Sequence, residues 1–152
     1  MTTWYFEDLQ VGEEIISPAR TVTESDIMTF AGLSGDYNAL HTDEEFAEGT
    51  IYKGRVAHGL LGLAIASGLF TRTEFMHRIH NAVIAFLGLT WKFTGPIKIG
   101  DTIRVKVKLT DKKETRRPER GIIVLERTLI NQRDEVVQQG ETTLMIACRP
   151  MT

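Results

Sequence analysis

The stretch VAHGLLGLAIASGL, residues 56–69, contains the most apolar segment of the chain. From Leu60 to Phe70 apolar side chains fall on nearly every side of a helix, and a helix of that kind has to be enclosed by other elements. The segment is about half of the roughly 20 residues that cross a bilayer. We therefore predict a buried helix from about His58 to Arg72, with a sheet wrapped around it.

The rest of the chain supplies that sheet. Apolar and polar residues alternate from Thr102 to Leu109, which is typical of a strand with one buried and one solvated face. Glu14 to Val22 is interrupted by Pro18 and suits an irregular edge strand. Four further strands are predicted, the last three as an antiparallel meander: Val83 to Phe93, Thr102 to Asp111, Ile122 to Ile130 and Val136 to Ala147.

Shorter segments have weaker patterns. TESDIMTFAGLSG, from Thr23, combines a capping threonine, early acidic residues and a final glycine, and predicts an amphipathic helix. Asp36 to Leu40 has no periodicity, whereas residues 43–49 suit one or two helical turns. His77 and His80 are expected in a solvated loop, without a metal.

No repeat or linker divides the chain, so residues 1–152 are expected to form one α+β domain.

Composition excludes several classes of partner. The formal net charge of −2 gives no general attraction to nucleic acid or to anionic lipid. The single cysteine, Cys148, cannot form an intramolecular disulfide and lacks the spacing of a zinc site. The N-terminal residues carry early acidic groups and do not resemble a secretory signal. We expect a cytoplasmic protein that binds neither nucleic acid nor a membrane.

Two motifs identify a family. FAGLSGDYNALHTDEEFA, residues 30–47, is followed by VAHGLLGLAIASGL, and the pair resembles the GDxNPxH motif and AHG-led helix of the MaoC-like, (R)-specific enoyl-CoA hydratases. YFEDLQVGEE and WKFTGPIKIGDTI are similar to the flanking stretches, so the resemblance covers nearly the whole chain. Ala39 departs from it, because many members have proline there. The resemblance implies a hot-dog fold, in which an antiparallel sheet curls around one long helix.

The resemblance also assigns catalytic residues. Hydration of an enoyl thioester needs a held and deprotonated water, and a carboxylate beside an imidazole can supply this near neutral pH. Asp36 and His41 match the family's pair that clamps the water. Gly59 matches the glycine whose backbone N–H binds the thioester oxygen, and the start of a helix favours negative charge there. Ser67 matches a polar residue deeper in that helix and is expected to orient the pair.

Substrate contacts are harder to identify. Asn38 either bridges a tight turn or contacts substrate, and Tyr37 is expected to line a pocket wall. Lys92, with Lys53 and Arg55, is a candidate for the phosphates of coenzyme A. We expect His58 to be satisfied by backbone and to lie outside the catalytic set.

The expected function is that of a hydro-lyase on trans-2-enoyl-CoA, without a metal or organic cofactor. A 3-hydroxyacyl-[acyl-carrier-protein] dehydratase, an acyl-CoA thioesterase and a non-catalytic acyl-thioester binding module are the alternatives. A lone sheet of this kind exposes an edge, so association is expected. The family's usual solution, a homodimer with a continuous sheet and sites near the interface, is implied here.

Overall fold

The computed structural model describes residues 2–150 and contains one antiparallel sheet. Its strand order is β1-β4-β5-β6-β3, and the short β2 also pairs with β4. The predicted meander is confirmed, and β3 lies at one edge beside β6. The strands are β1 Glu14–Ile16, β2 Arg20–Thr21, β3 Val83–Phe93, β4 Thr102–Glu114, β5 Arg120–Ile130 and β6 Val136–Ala147.

Within residues 2–150 five α-helices join the strands, and a three-residue 3-10 helix, Phe6–Asp8, precedes β1. The α-helices are α1 Glu24–Ser34, α2 Ala39–Thr42, α3 Glu44–Glu48, α4 Gly59–Thr71 and α5 Glu74–Ile79. At the start of α1, the Thr23 side chain accepts a hydrogen bond from the Asp26 N–H, and the Asp26 carboxylate accepts one from the Thr23 N–H. Gly35 ends α1 in the left-handed region, with φ of 76°, which a side chain would disfavour. The predicted helix after Thr23 is therefore confirmed.

The core lies between α4 and the inner face of the sheet. Buried side chains from both form one hydrophobic cluster, which includes Leu61, Ile65 and Leu69 of α4 and Val105, Val107, Leu109, Ile123, Leu125 and Leu129 of the strands. Residues that alternate with these along the strands face outward. A sheet around one central helix is the α+β architecture of the hot-dog fold, as predicted.

The enclosure of α4 is incomplete in the single chain. Leu60 is 59% exposed, and Ala64, Ser67 and Gly68 are also exposed. These positions recur every three or four residues, so they form one stripe along the helix. The expectation that α4 is enclosed on all sides is therefore wrong for this chain by itself. No helix within residues 2–150 is long and apolar enough to cross a membrane.

Two other expectations require correction. β4 continues to Glu114 instead of ending at Asp111, because its charged last residues still pair with β5. The stretch after α4 is a helix and not a loop: Thr73 caps it, and Phe75 and Ile79, four residues apart, bury one face. His77 and His80 nevertheless remain exposed, as predicted.

Candidate active site

The loop between α1 and α2 presents the predicted Asp36. The Asn38 N–H donates to the Asp36 carboxylate at 3.2 Å, and the Asn38 side chain accepts from the Leu40 N–H at 3.0 Å. Asn38 therefore holds the turn and starts α2, which is the first of the two roles considered for it. The turn leaves Asp36 exposed at the end of the loop.

His41 lies on α2, a single helical turn that the sequence pattern did not reveal. Its Nδ1 lies 2.7 Å from the Val56 carbonyl oxygen. Because a carbonyl oxygen can only accept, Nδ1 carries a proton, and in the neutral ring Nε2 keeps a lone pair. The half-buried ring can therefore accept a proton at Nε2, which is what a general base has to do.

His58 joins this pair, although it was expected to lie outside the catalytic set. It is 2% exposed, and its Nε2 donates to the Asp36 carbonyl oxygen at 2.8 Å. Its ring stacks on His41, with 3.9 Å between ring centroids. We expected a backbone group to form a hydrogen bond with the His58 ring. This is confirmed for Nε2, and the backbone group is the carbonyl of Asp36. The signal available in the sequence was the position of His58 beside Gly59 in the AHG motif.

The three side chains form a compact cluster. Asp36, His41 and His58 each offer one potential ligand atom, and these atoms lie within 4.8 Å of one another. The spacing allows one water molecule to contact both Asp36 and His41. The same donor set is compatible with a cation, so the expectation that no metal is involved stays a prediction.

Gly59 is the first residue of α4 and lies at a pocket beside His41. Within residues 2–150 no group accepts a hydrogen bond from the Gly59 N–H, and His58 does not cap the helix with its side chain. The Gly59 carbonyl accepts from Gln138 at 2.9 Å, and Gln138 accepts from the Trp91 indole at 2.9 Å. A Cβ at position 59 would lie 2.8 Å from the Phe93 ring, so any side chain there would force that ring or the start of α4 to shift.

The pocket has a volume of about 420 Å³. Its lining is mostly apolar and includes Leu40, Tyr52, Val56, Phe93, Pro96 and Ile97 together with His41, Gly59 and Gln138. Concave, largely apolar sites of this size with a few polar groups suit small-molecule ligands. The polar groups here include the His41 imidazole, the N-terminus of α4 and the Gln138 amide, together with the Tyr52 and Thr94 side chains.

Ser67 and Lys92 are not brought to this cluster. Ser67 lies eight residues beyond Gly59, about 12 Å along α4, and is exposed. Lys92 pairs with Gln139 on β6, whereas the preceding Gln138 faces α4. Successive residues of a strand face opposite sides, so Lys92 lies on the outer face of the sheet, near Glu126 and Glu141.

Arg55 and Tyr37 also differ from expectation. Arg55 donates to the Glu24 and Glu44 carboxylates, and these hydrogen bonds raise its pKa above the usual value. Two acidic partners leave this guanidinium a poor phosphate ligand. Tyr37 is exposed and packs back on α1, with its hydroxyl near Gly32, so it does not line the pocket. Lys53 is exposed beside the loop that precedes α4.

Comparisons with known proteins identify a family model and relatives that this chain resembles. The family model described as MaoC like domain matches residues 8–129. The (R)-specific enoyl-CoA hydratase of Rhodospirillum rubrum is 35% identical over 145 residues, which cover 95% of this chain and 93% of that protein. The 3-hydroxybutyryl-CoA dehydratase of Methylorubrum extorquens is 34% identical, covering 93% of this chain and 83% of that protein.

A solved structure extends the likeness to three dimensions. The X-ray structure of a monoamine oxidase regulatory protein from Archaeoglobus fulgidus superposes with a TM-score of 0.92 at 37% identity. The match covers 99% of this chain and 98% of that one. The hydratase and dehydratase relatives are hydro-lyases, and the similarity to them spans nearly the whole of this chain.

Proposed function

Because this chain belongs to the MaoC-like domain family and is a hydro-lyase, we propose that it hydrates trans-2-enoyl-CoA reversibly to (R)-3-hydroxyacyl-CoA. One observation carries the proposal. The hydrogen bond from His41 Nδ1 to the Val56 carbonyl leaves Nε2 as the acceptor of the neutral ring. This ring clusters with Asp36 and lines the same pocket as Gly59 at the start of α4. A base, a carboxylate and an anion-stabilising N–H are the groups that this hydration requires.

The proposed reaction uses a single water. Asp36 and His41 Nε2 hold it, and His41 takes one of its protons while the oxygen forms a bond to Cβ. The electrons of the C=C bond move toward the thioester and give an enolate. The imidazolium of His41 then returns the proton to Cα, which restores the base. Since oxygen and proton arrive from the same side, the addition is syn.

The enolate oxygen is assigned to the start of α4. The Gly59 N–H has no partner within the described residues and belongs to the positive end of a 13-residue helix. Removing one such donor in other acyl-transfer sites costs about 100- to 1000-fold in rate. The Gln138 amide fixes the Gly59 carbonyl, so the orientation of the first turn is set before substrate binds.

A homodimer is part of the proposal. β3 lies at the edge of the sheet, and Ile84, Phe86, Leu87, Leu89 and Phe93 on it are exposed. An edge of this length and apolarity favours pairing with another strand. Pairing of β3 with β3 of a second copy would continue the sheet, and light scattering should give twice the mass of the chain. Phe86→Glu should lower that mass toward the mass of one chain. A wild-type protein that has the mass of one chain would refute the dimer.

The function is tested by the loss of enoyl absorbance when crotonyl-CoA is added. Asp36→Asn and His41→Ala should each lower kcat by about 100- to 10,000-fold, because each removes a group that handles the reacting water. His77→Ala, an exposed histidine on α5, is the matched control and should keep full activity. Wild type inactive on CoA and acyl-carrier-protein thioesters would refute the proposal, and release of free thiol without hydration would indicate a thioesterase.

A further inference from the structure

His58 makes three specific contacts with the residues around it. It donates to the backbone of Asp36, it stacks on His41, and it contacts the Phe30 ring, with 4.8 Å between ring centroids. We propose that His58 is a positioning residue that sets the geometry of both catalytic side chains. The inference rests on the proposed hydration, since the effect it predicts is on that reaction.

The first contact fixes the loop that carries Asp36. Asp36 is exposed and follows the left-handed Gly35, so local burial does not hold it. The bond from His58 Nε2 joins the Asp36 carbonyl to a residue 22 positions away at the start of α4. Gly59, the proposed oxyanion donor, is the next residue. His58 therefore fixes the distance between the carboxylate that holds water and the N–H that binds the thioester.

The second contact fixes the plane of the His41 ring. The His41 ring is held at Nδ1 by the Val56 carbonyl, but one hydrogen bond leaves rotation about that bond open. The stacked His58 ring, tilted by 33°, restricts that rotation from one side, and the Phe30 ring contacts His58 in turn. The direction of the His41 Nε2 lone pair is thereby set.

The remaining nitrogen of His58 argues against a purely structural role. With Nε2 donating, Nδ1 is an acceptor, and within the described chain this buried atom has no hydrogen-bond partner. An unpaired buried acceptor destabilises the folded state, and phenylalanine would fill similar space without it. Phenylalanine would not, however, donate to Asp36. A histidine at position 58 is therefore explained by the hydrogen bond that its Nε2 donates to Asp36, even though its Nδ1 stays unpaired.

Three variants separate the two contacts. His58→Ala removes both, His58→Phe keeps the stacked ring, and His58→Gln keeps a donor for the Asp36 carbonyl. We expect kcat on crotonyl-CoA to fall about 10- to 100-fold in His58→Ala, with KM changed less than about threefold, as for residues that orient catalytic ligands. The Phe and Gln variants should each recover part of that loss. His77→Ala, His77→Phe and His77→Gln are the matched controls, and thermal unfolding verifies that each variant folds.

Nitrogen-15 spectra of the imidazoles give a readout independent of turnover. The chain has four histidines, so the His41 signals can be assigned by substitution. His41 should show a protonated Nδ1 and a bare Nε2 in wild type and His58→Phe, and a mixture of tautomers in His58→Gln and His58→Ala. If wild type is inactive on every thioester, the proposed function fails and these spectra alone decide the positioning role.

Specific results would overturn the inference. The inference is refuted if His58→Ala keeps a kcat within twofold of wild type. It is also refuted if His58→Ala raises KM and leaves kcat unchanged. Equal loss in all three variants with unchanged His41 spectra would also refute it, because neither contact would then account for the loss.

Discussion

Arg127 is predicted to destabilise the folded chain, and its replacement by methionine should therefore stabilise it. Arg127 lies on the inner face of β5 between Leu125 and Leu129 and is 4% exposed. Within residues 2–150 it has no carboxylate partner, and its Nε is buried without a hydrogen bond. Its guanidinium instead packs over the Phe70 ring, 4.2 Å from the centroid.

The magnitude follows from the shifted pKa. Burial lowers the pKa of Arg127 from its usual value to about 10, and a shift of that size corresponds to about 3 kcal/mol of cost for the charged form. The desolvated cation–π contact with Phe70 offsets about 2 kcal/mol of this. A methionine of similar length retains contact with the ring. We expect Arg127→Met to raise the free energy of unfolding by about 1 to 2 kcal/mol at neutral pH.

The pH dependence has a definite sign. The folded pKa of Arg127 lies below its unfolded value, so the buried charge costs its full amount below about pH 10. Above about pH 10 the folded state releases the proton while the unfolded state retains it, and the cost declines. The advantage of Arg127→Met should therefore be constant around neutral pH and should shrink as pH rises past about 10.

Urea unfolding followed by tryptophan fluorescence measures this, since the chain has two tryptophans. Protein concentration has to be fixed, because association would contribute to stability. Arg116→Met, at an exposed arginine on the β4–β5 connection, is the control and should change stability little. A loss of stability in Arg127→Met would refute the reasoning, because it would mean that Arg127 gains more from its surroundings than burial costs.

Three further predictions concern the site and its scaffold. Gly59→Ala should lower kcat/KM by about 100-fold, since its Cβ would lie 2.8 Å from the Phe93 ring and displace the first turn of α4; Phe93→Leu in the same chain should restore part of the rate, and failure to do so would exclude the steric cause. Thr23→Ala should lower the free energy of unfolding by about 1 kcal/mol through loss of the α1 cap, measured by urea unfolding, and an unchanged midpoint would show that Asp26 suffices. Dialysis against EDTA should leave hydration unchanged, whereas activity that is lost and then restored by zinc would assign a cation to Asp36, His41 and His58.

Local sequence patterns predicted the long elements. The apolar run from Leu60 to Phe70 and the alternation from Thr102 to Leu109 both depend only on local spacing, and the structure follows them. The short helices were predicted unevenly: α3, of five residues, was indicated within residues 43–49, whereas α2 and α5, of four and six residues, were missed because segments this short carry little of a helical period. The open stripe on α4 has another cause: an apolar residue such as Leu60 does not reveal whether its cover comes from the same chain.

The candidate site was likewise predicted in part from the sequence. The motif placed Asp36, His41 and Gly59, which the fold brings together. Lys92 was misplaced because the face of a strand residue depends on register, and the register is set by Gln138 contacting α4 from a distant strand. His58 was set aside because its bond to Asp36 spans 22 residues and no local pattern encodes it.

The direction of water addition tests the central claim most directly. Crotonyl-CoA would be hydrated by wild type in deuterium oxide, and the product analysed by proton NMR and by a dehydrogenase specific for one hand of the alcohol. One water held by Asp36 and His41 predicts a single product, the (R)-3-hydroxybutyryl thioester with deuterium at Cα syn to the hydroxyl. An anti product, the opposite hand or a mixture of diastereomers at Cα formed during turnover would contradict the account.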